Sequence, residues 1–247
     1  MNYSLDDLPD SGSEIKLFMD ISLKGEHMGK LLIKLFRDAF PAGVENFVGL
    51  ITGKTHQVIH NGSGRYKTTK QTKRSYVGCK FFNYKHNNYI VSGDIYNNDG
   101  TSAGTIFNDE SIPAHYDEYF YPHETKGLIS LVPYFDEKSG RNFYDSTFMI
   151  TLDDVKPSNI LNELDSNQVV IGHVYSGFDV LDKMNVLIKP YARRSYPNFT
   201  ISNCDIFVNK NTTRRKRPIS LNKTRKFSNK PTPINLLDDE SNYNNIN

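Results

Sequence analysis

Ile15-Lys16-Leu17-Phe18-Met19-Asp20-Ile21-Ser22-Leu23 alternates apolar and polar residues, and Gly29–Phe36 alternates again after Gly25-Glu26. Period-two alternation puts one set of side chains on each face of a strand, and so short a link between two such runs predicts an antiparallel hairpin. The run that follows is Pro41-Ala42-Gly43-Val44-Glu45-Asn46-Phe47-Val48-Gly49-Leu50-Ile51-Thr52-Gly53. Val44, Phe47, Val48 and Ile51 recur at helical spacing, Pro41 suits the first turn, and Gly53 suits a stop. A two-stranded hairpin leading into an amphipathic helix therefore opens the folded part of the chain.

Outward from there, Lys80–Ile95, Thr105–Phe107, Leu128–Val132, Thr147–Leu152, Gln168–Val174 and Phe199–Val208 read as strands. Gly177–Leu187 reads as a second helix, with Val180, Leu181, Met184 and Leu187 on one side. Many strands with two helices predict a mainly β, antiparallel barrel or sandwich. Residues 54–77 hold six Lys or Arg and no acid, and read as a long exposed insertion loop. Residues 1–13 read as a flexible arm and 209–247 as a disordered tail.

The chain has 247 residues and a net charge of +2, with 12% aromatics and a mean hydropathy of −0.56. That aromatic load excludes a wholly disordered chain. No apolar run is long enough for a transmembrane helix, and the N-terminus lacks the pattern of a secretory signal. Two cysteines, Cys79 and Cys204, exclude a disulfide-rich scaffold and a four-cysteine zinc site. An intracellular, cytoplasmic or nuclear location is expected. The charge is unevenly spread. Residues 209–230 carry +9, residues 231–247 carry −3, and the body carries −4. Arg214, Arg215, Lys216 and Arg217 form a basic run suited to a polyanion or to nuclear targeting. The histidines show no ligand spacing beside cysteines or carboxylates, so no metal and no cofactor are expected.

In order and spacing, these segments resemble the cyclophilins, a family of peptidyl-prolyl cis-trans isomerases. The resemblance rests on Phe18–Ser22 with Gly25-Glu26, on Asn46-Phe47 within the first helix, and on Gly93-Asp94 with Asp99-Gly100-Thr101. It continues through Gly127–Leu131, Ser146–Ile150, Val169–Val174 and Ile201–Cys204. It implies a closed eight-stranded antiparallel barrel over residues 14–208, capped by two helices. It also implies a proline-containing peptide or protein as partner; no membrane partner is expected, and the oligomeric state is left open.

The family's catalytic stretch is F-H-R-x-I-x-x-F-M-x-Q-G-G-D. Here the corresponding residues are Phe81-Phe82-Asn83-Tyr84-Lys85-His86-Asn87-Asn88-Tyr89-Ile90-Val91-Ser92-Gly93-Asp94. Anchored on Gly93-Asp94, the arginine position is Asn83 and the preceding histidine is Phe82. The pocket phenylalanine is Asn88, the methionine Tyr89 and the glutamine Val91. On the other wall the resemblance places Val132, Pro133, Thr147, Met149, Glu163 (at the family's tryptophan), Leu164 and Gln168. Lys85 shares the strand face of Asn83, but a point charge replaces the planar arginine fork poorly. Asn83, Asn88 and His86 together suggest a new polar site, although drift toward asparagine in an asparagine-rich chain is the plainer account.

The leading expectation is thus a cyclophilin with a degenerate active site, acting as a protein-binding or structural module. An active isomerase assisting folding is the alternative. A nucleic-acid or acidic-partner binder working through the tail and the insertion is the second.

Overall fold

The structure is a computed structural model. It describes residues 14–37, 39–53, 56–61, 68–107, 110–114, 121–154, 164–165, 168–188 and 197–207, with backbone only at 14, 56–61 and 68–73. The expected arm at 1–13 and the tail from 209 onward, with its Arg214–Arg217 run, lie outside the described residues.

Strands β1 (Glu14–Leu23) and β2 (Glu26–Phe36) pair antiparallel across a turn at Lys24-Gly25, where both φ angles are positive. Two successive positive φ values give the turn a twist that matches the strands it joins. Ile15, Leu17, Met19 and Ile21 of β1 and Leu31, Ile33 and Leu35 of β2 are buried, as the alternation requires. Helix α1 (Pro41–Thr52) follows, with Val44, Phe47, Val48 and Ile51 buried. Gly53 ends it in the left-handed region and returns its N–H to the carbonyl of Gly49 at 3.0 Å.

Beyond the helix come β3 (His56–Asn61), β4 (Thr68–Lys73), β5 (Asn83–Lys85), β6 (Tyr89–Ser92) and β7 (Ile112–Pro113). Next are β8 (Leu128–Leu131), β9 (Tyr134–Asp136), β10 (Arg141–Tyr144), β11 (Phe148–Thr151) and β12 (Val169–Ser176). Helix α2 (Phe178–Leu187) and β13 (Phe199–Ile206) complete the series. Eight strands form one curled antiparallel sheet in the order β13-β1-β2-β12-β8-β11-β6-β5. Its edge strands are β13 and β5. The segment just before β5 reaches β13, with Phe81 N–H donating to the Phe199 carbonyl and Ile201 N–H to that of Cys79.

Three expectations need correction. Residues 54–77 are not one exposed loop: β3 and β4 pair as a hairpin, and Arg74 and Tyr76 are buried behind it. Tyr76 packs edge-on to Phe148 and donates to the Ser146 carbonyl at 2.8 Å, which an aromatic ring achieves only inside the core. Lys80–Ile95 is two strands, because Asn87 takes a positive φ and turns the chain between β5 and β6. Thr105–Phe107 is not a strand. The Asn46 side chain accepts from the Ile106 N–H, and the segment bends there. Beyond these, β10 pairs with β9 and β7 in a separate three-stranded sheet.

Central strands β8 and β11 are buried at every position. On β11 the residues alternate between two clusters. Phe148 and Ile150 enter the main core, whereas Met149 joins Val91 and Leu164 on the opposite face, with Phe82, Tyr89 and Val132 packed around them. That second face floors the site.

Candidate functional site

A cavity of about 560 Å³ opens over this second cluster. Three parts of the fold wall it. The main sheet supplies Asn83 from β5, Tyr89 and Val91 from β6, and Thr147 and Met149 at the start of β11. Phe82, Val132, Pro133 and Gln168 stand beside them at strand ends. The three-stranded sheet brings up Ser111, Tyr134 and Asp145, from the ends of β7, β9 and β10. The loop Gly100–Gly104 forms the remaining wall.

That loop is held by one carboxylate. Asp94 accepts backbone N–H bonds from Tyr96 (3.0 Å) and Asn97 (2.7 Å) on one oxygen. Its other oxygen accepts from Asp99, Gly100, Thr101 and Ser102, at 2.9–3.2 Å. Burial pushes the Asp94 pKa up, but the backbone N–H bonds outweigh it and hold the group well below the usual carboxylate range. The preceding Gly93 has φ +110 and passes so close to the Ser146 carbonyl that any Cβ would collide with it. Ser146 Oγ donates to the Gly93 carbonyl at 2.6 Å and accepts from Gly104 N–H at 3.1 Å. Gly93-Asp94 is thus the anchor of the loop wall, which is why it serves as a sequence marker.

Asn46, from α1, is a buried clamp at the other side. Its amide nitrogen donates to the Asp145 carbonyl at 3.0 Å while its oxygen accepts from Ile106 N–H at 2.8 Å. The helix whose apolar face seals the core therefore also sets the backbone that carries Asp145.

Of the residues expected at the site, Phe82, Asn83, Tyr89, Val91, Val132, Pro133, Thr147, Met149 and Gln168 line the cavity together. Leu164 lies beneath it, packed with Val91 and Met149. Asn88 does not line it. It sits buried in the β5–β6 turn, donating its N–H to the Lys85 carbonyl and accepting from Leu152 N–H. His86 and Lys85 do not line the cavity either, so the cavity does not bring Asn83, Asn88 and His86 together. Glu163 lies outside the described residues. Among the described residues no lysine, arginine or histidine lines the cavity. Among the described residues, no three His, Cys, Asp or Glu side chains gather closely enough to hold a metal ion.

Sequence reasoning passed over one network next to this floor. His123 is wholly buried, with Nδ1 2.7 Å from Asp165 Oδ1 and Nε2 2.7 Å from Ser130 Oγ. The His123 backbone N–H also donates to that Asp165 oxygen, at 2.8 Å. The order carboxylate–imidazole–hydroxyl is that of a nucleophilic triad, but Ser130 is fully buried in β8 and no substrate reaches it. The network instead ties the Leu164-Asp165 segment to the sheet. Burial lowers the His123 pKa, against the opposing pull of Asp165. Its spacing to Asp165 and Ser130 follows no sequence pattern, since a loop and a strand meet here only through the fold.

The cyclophilin type peptidyl-prolyl cis-trans isomerase/CLD family model matches residues 18–206, most of the chain. The chain belongs to the cyclophilin family. This cyclophilin is 61% identical over 235 residues to the structural PPIase-like protein L605 of Acanthamoeba polyphaga mimivirus, covering 95% of this chain and all of that one. A crystal structure of the mimivirus cyclophilin is similar, with a TM-score of 0.69 and 59% identity over 87% of this chain and all of the other. The NK-tumor recognition protein of Mus musculus is 29% identical over 208 residues, which are 81% of this chain but only 12% of that protein.

Proposed function

We propose that this cyclophilin binds proline-containing segments of a protein partner in the cavity described above, with little or no isomerase turnover. The observation that carries the reading is Asn83. It lines the cavity, the resemblance aligns it with the family's arginine, and no cationic side chain is among the described lining residues. Rotation about an X–Pro bond must break amide conjugation, and a fixed cationic donor favours the twisted, deconjugated state. An asparagine amide carries no charge, and Val91 supplies no hydrogen bond where the family has glutamine. Loss of one such electrostatic group typically costs about a hundred- to a thousandfold in rate. A structural role is consistent with the name of the 61%-identical relative, a structural PPIase-like protein. The backbone bonds from Cys79 and Phe81 to β13 favour a closed barrel as the scaffold for this role.

A proline-isomerisation assay on a short peptide tests the proposal. The expected rate is indistinguishable from background at micromolar protein, and Asn83→Arg does not restore full activity because Val91 and Met149 still differ. Turnover at the level of an ordinary family member would overturn it.

A further inference from the structure

The cavity has a charge that nothing in the described protein neutralises. Among the described lining residues, Asp145 is the only ionisable acid or base apart from the phenols of Tyr89 and Tyr134. Its Oδ1 accepts from Thr147 N–H at 2.7 Å. Among the described residues no ion pair to a lysine, arginine or histidine is seen at Asp145; those at Asp20, Asp165, Asp179 and Asp182 lie elsewhere. The carboxylate of Asp94 acts on Asp145 with like charge. Asp94 is satisfied by six backbone N–H groups, whereas Asp145 has Thr147 alone.

Burial pushes the Asp145 carboxyl pKa up, the Thr147 bonds oppose that, and Asp94 raises it further. Charges withdrawn from water are costly unless paired. The lining nearby is rich in hydrogen-bonding groups: Thr101, Ser102, Ser111 and Gln168 stand in the same cavity, and the Gln168 side-chain oxygen is buried without a partner. Val91 and Met149 give the floor an apolar surface on which an aliphatic stem would pack.

We infer that the cavity takes a peptide bearing a lysine or arginine next to its proline, with the cationic head on Asp145 and the stem over the Val91–Met149 floor. The inference rests on the peptide-binding reading above and supplies its specificity. A partly enclosed carboxylate favours a cation and rejects an acid, because a second carboxylate would meet like charge in a place poor in water.

The test is calorimetric binding of capped tetrapeptides Ala-X-Pro-Ala and Ala-Pro-X-Ala, with X as Lys, Ala or Glu, to the full-length protein at low salt. In at least one of the two positions the Lys peptide should bind about tenfold more tightly than the Ala peptide, and the Glu peptide more weakly still. Asp145→Asn, which keeps an oxygen to accept from Thr147, should bring the Lys peptide down to the level of the Ala peptide. For wild type, raising the salt should narrow the Lys–Ala gap, which checks the charge without any substitution. Equal binding of Lys, Ala and Glu peptides overturns the inference while leaving peptide binding intact. Binding of none of them overturns both.

Discussion

Asp94 concentrates more hydrogen bonds than any other side chain near the site, and its effect reaches beyond its own position. A carboxylate accepting several N–H groups is a strong acceptor, and replacing it leaves those donors facing a poorer partner. Asp94→Asn should cost about 3 kcal/mol of stability in urea unfolding, since one of the two oxygens becomes an N–H donor aimed at other donors. The sign of the pH effect follows from the direction of the shift. The folded pKa lies below the ordinary value of 3.8, so the stabilisation is present above that value and is lost as pH falls toward the folded pKa. Acid unfolding should therefore be less steep in Asp94→Asn than in wild type. Unchanged stability in the variant would mean that the loop Tyr96–Ser102 does not depend on this carboxylate.

Among the elements, the short segment around Leu164-Asp165 is the one most dependent on a distant strand. His123 joins it to β8 through Asp165 and Ser130. His123→Gln keeps polarity but cannot span both partners, and should cost about 2 kcal/mol. The pH dependence separates this contact from ordinary packing. Burial holds the folded pKa below the ordinary 6.5, so the unfolded chain binds a proton that the folded chain refuses. The contribution is whole above pH 6.5 and falls as pH drops below it. Urea unfolding at pH 7.5 and pH 5 should show wild type losing more stability on acidification than His123→Gln does. Parallel losses in the two proteins would mean that His123 is already protonated in the fold.

At the scale of the whole molecule, a mildly acidic body is joined to a segment of +9 at residues 209–230. A cluster of that kind binds polyanions through counterion release, which is blind to sequence and steep in salt. The full-length protein is expected to bind duplex DNA weakly at about 50 mM salt and to lose it by about 200 mM. Replacing Arg214, Arg215, Lys216 and Arg217 together by Gln should flatten the salt dependence in a filter-binding or anisotropy titration. Undiminished binding in that variant would shift the role to the six Lys and Arg of residues 54–77. No binding at low salt by either protein would remove polyanions from the account.

What the sequence determined by itself was whatever depends on neighbours in the chain. The β1–β2 hairpin was legible because alternation and a turn are local, and α1 because its apolar period and Gly53 stop are local. Four of the cavity's lining residues, Phe82, Asn83, Tyr89 and Val91, were legible by counting from the Gly93-Asp94 anchor, and five more, on the other wall, only through the family resemblance. The tertiary structure decided the rest. Asn88 left the site because a positive φ at Asn87 turns the chain there. Tyr76 was hidden in a basic, polar stretch and became core only when Phe47 and Phe148 closed around it. His123 met Asp165 and Ser130, and Asp145 met the cavity, through contacts between segments far apart in sequence. Such meetings leave no period to read, because burial and unpaired charge are properties of the space that several elements enclose together.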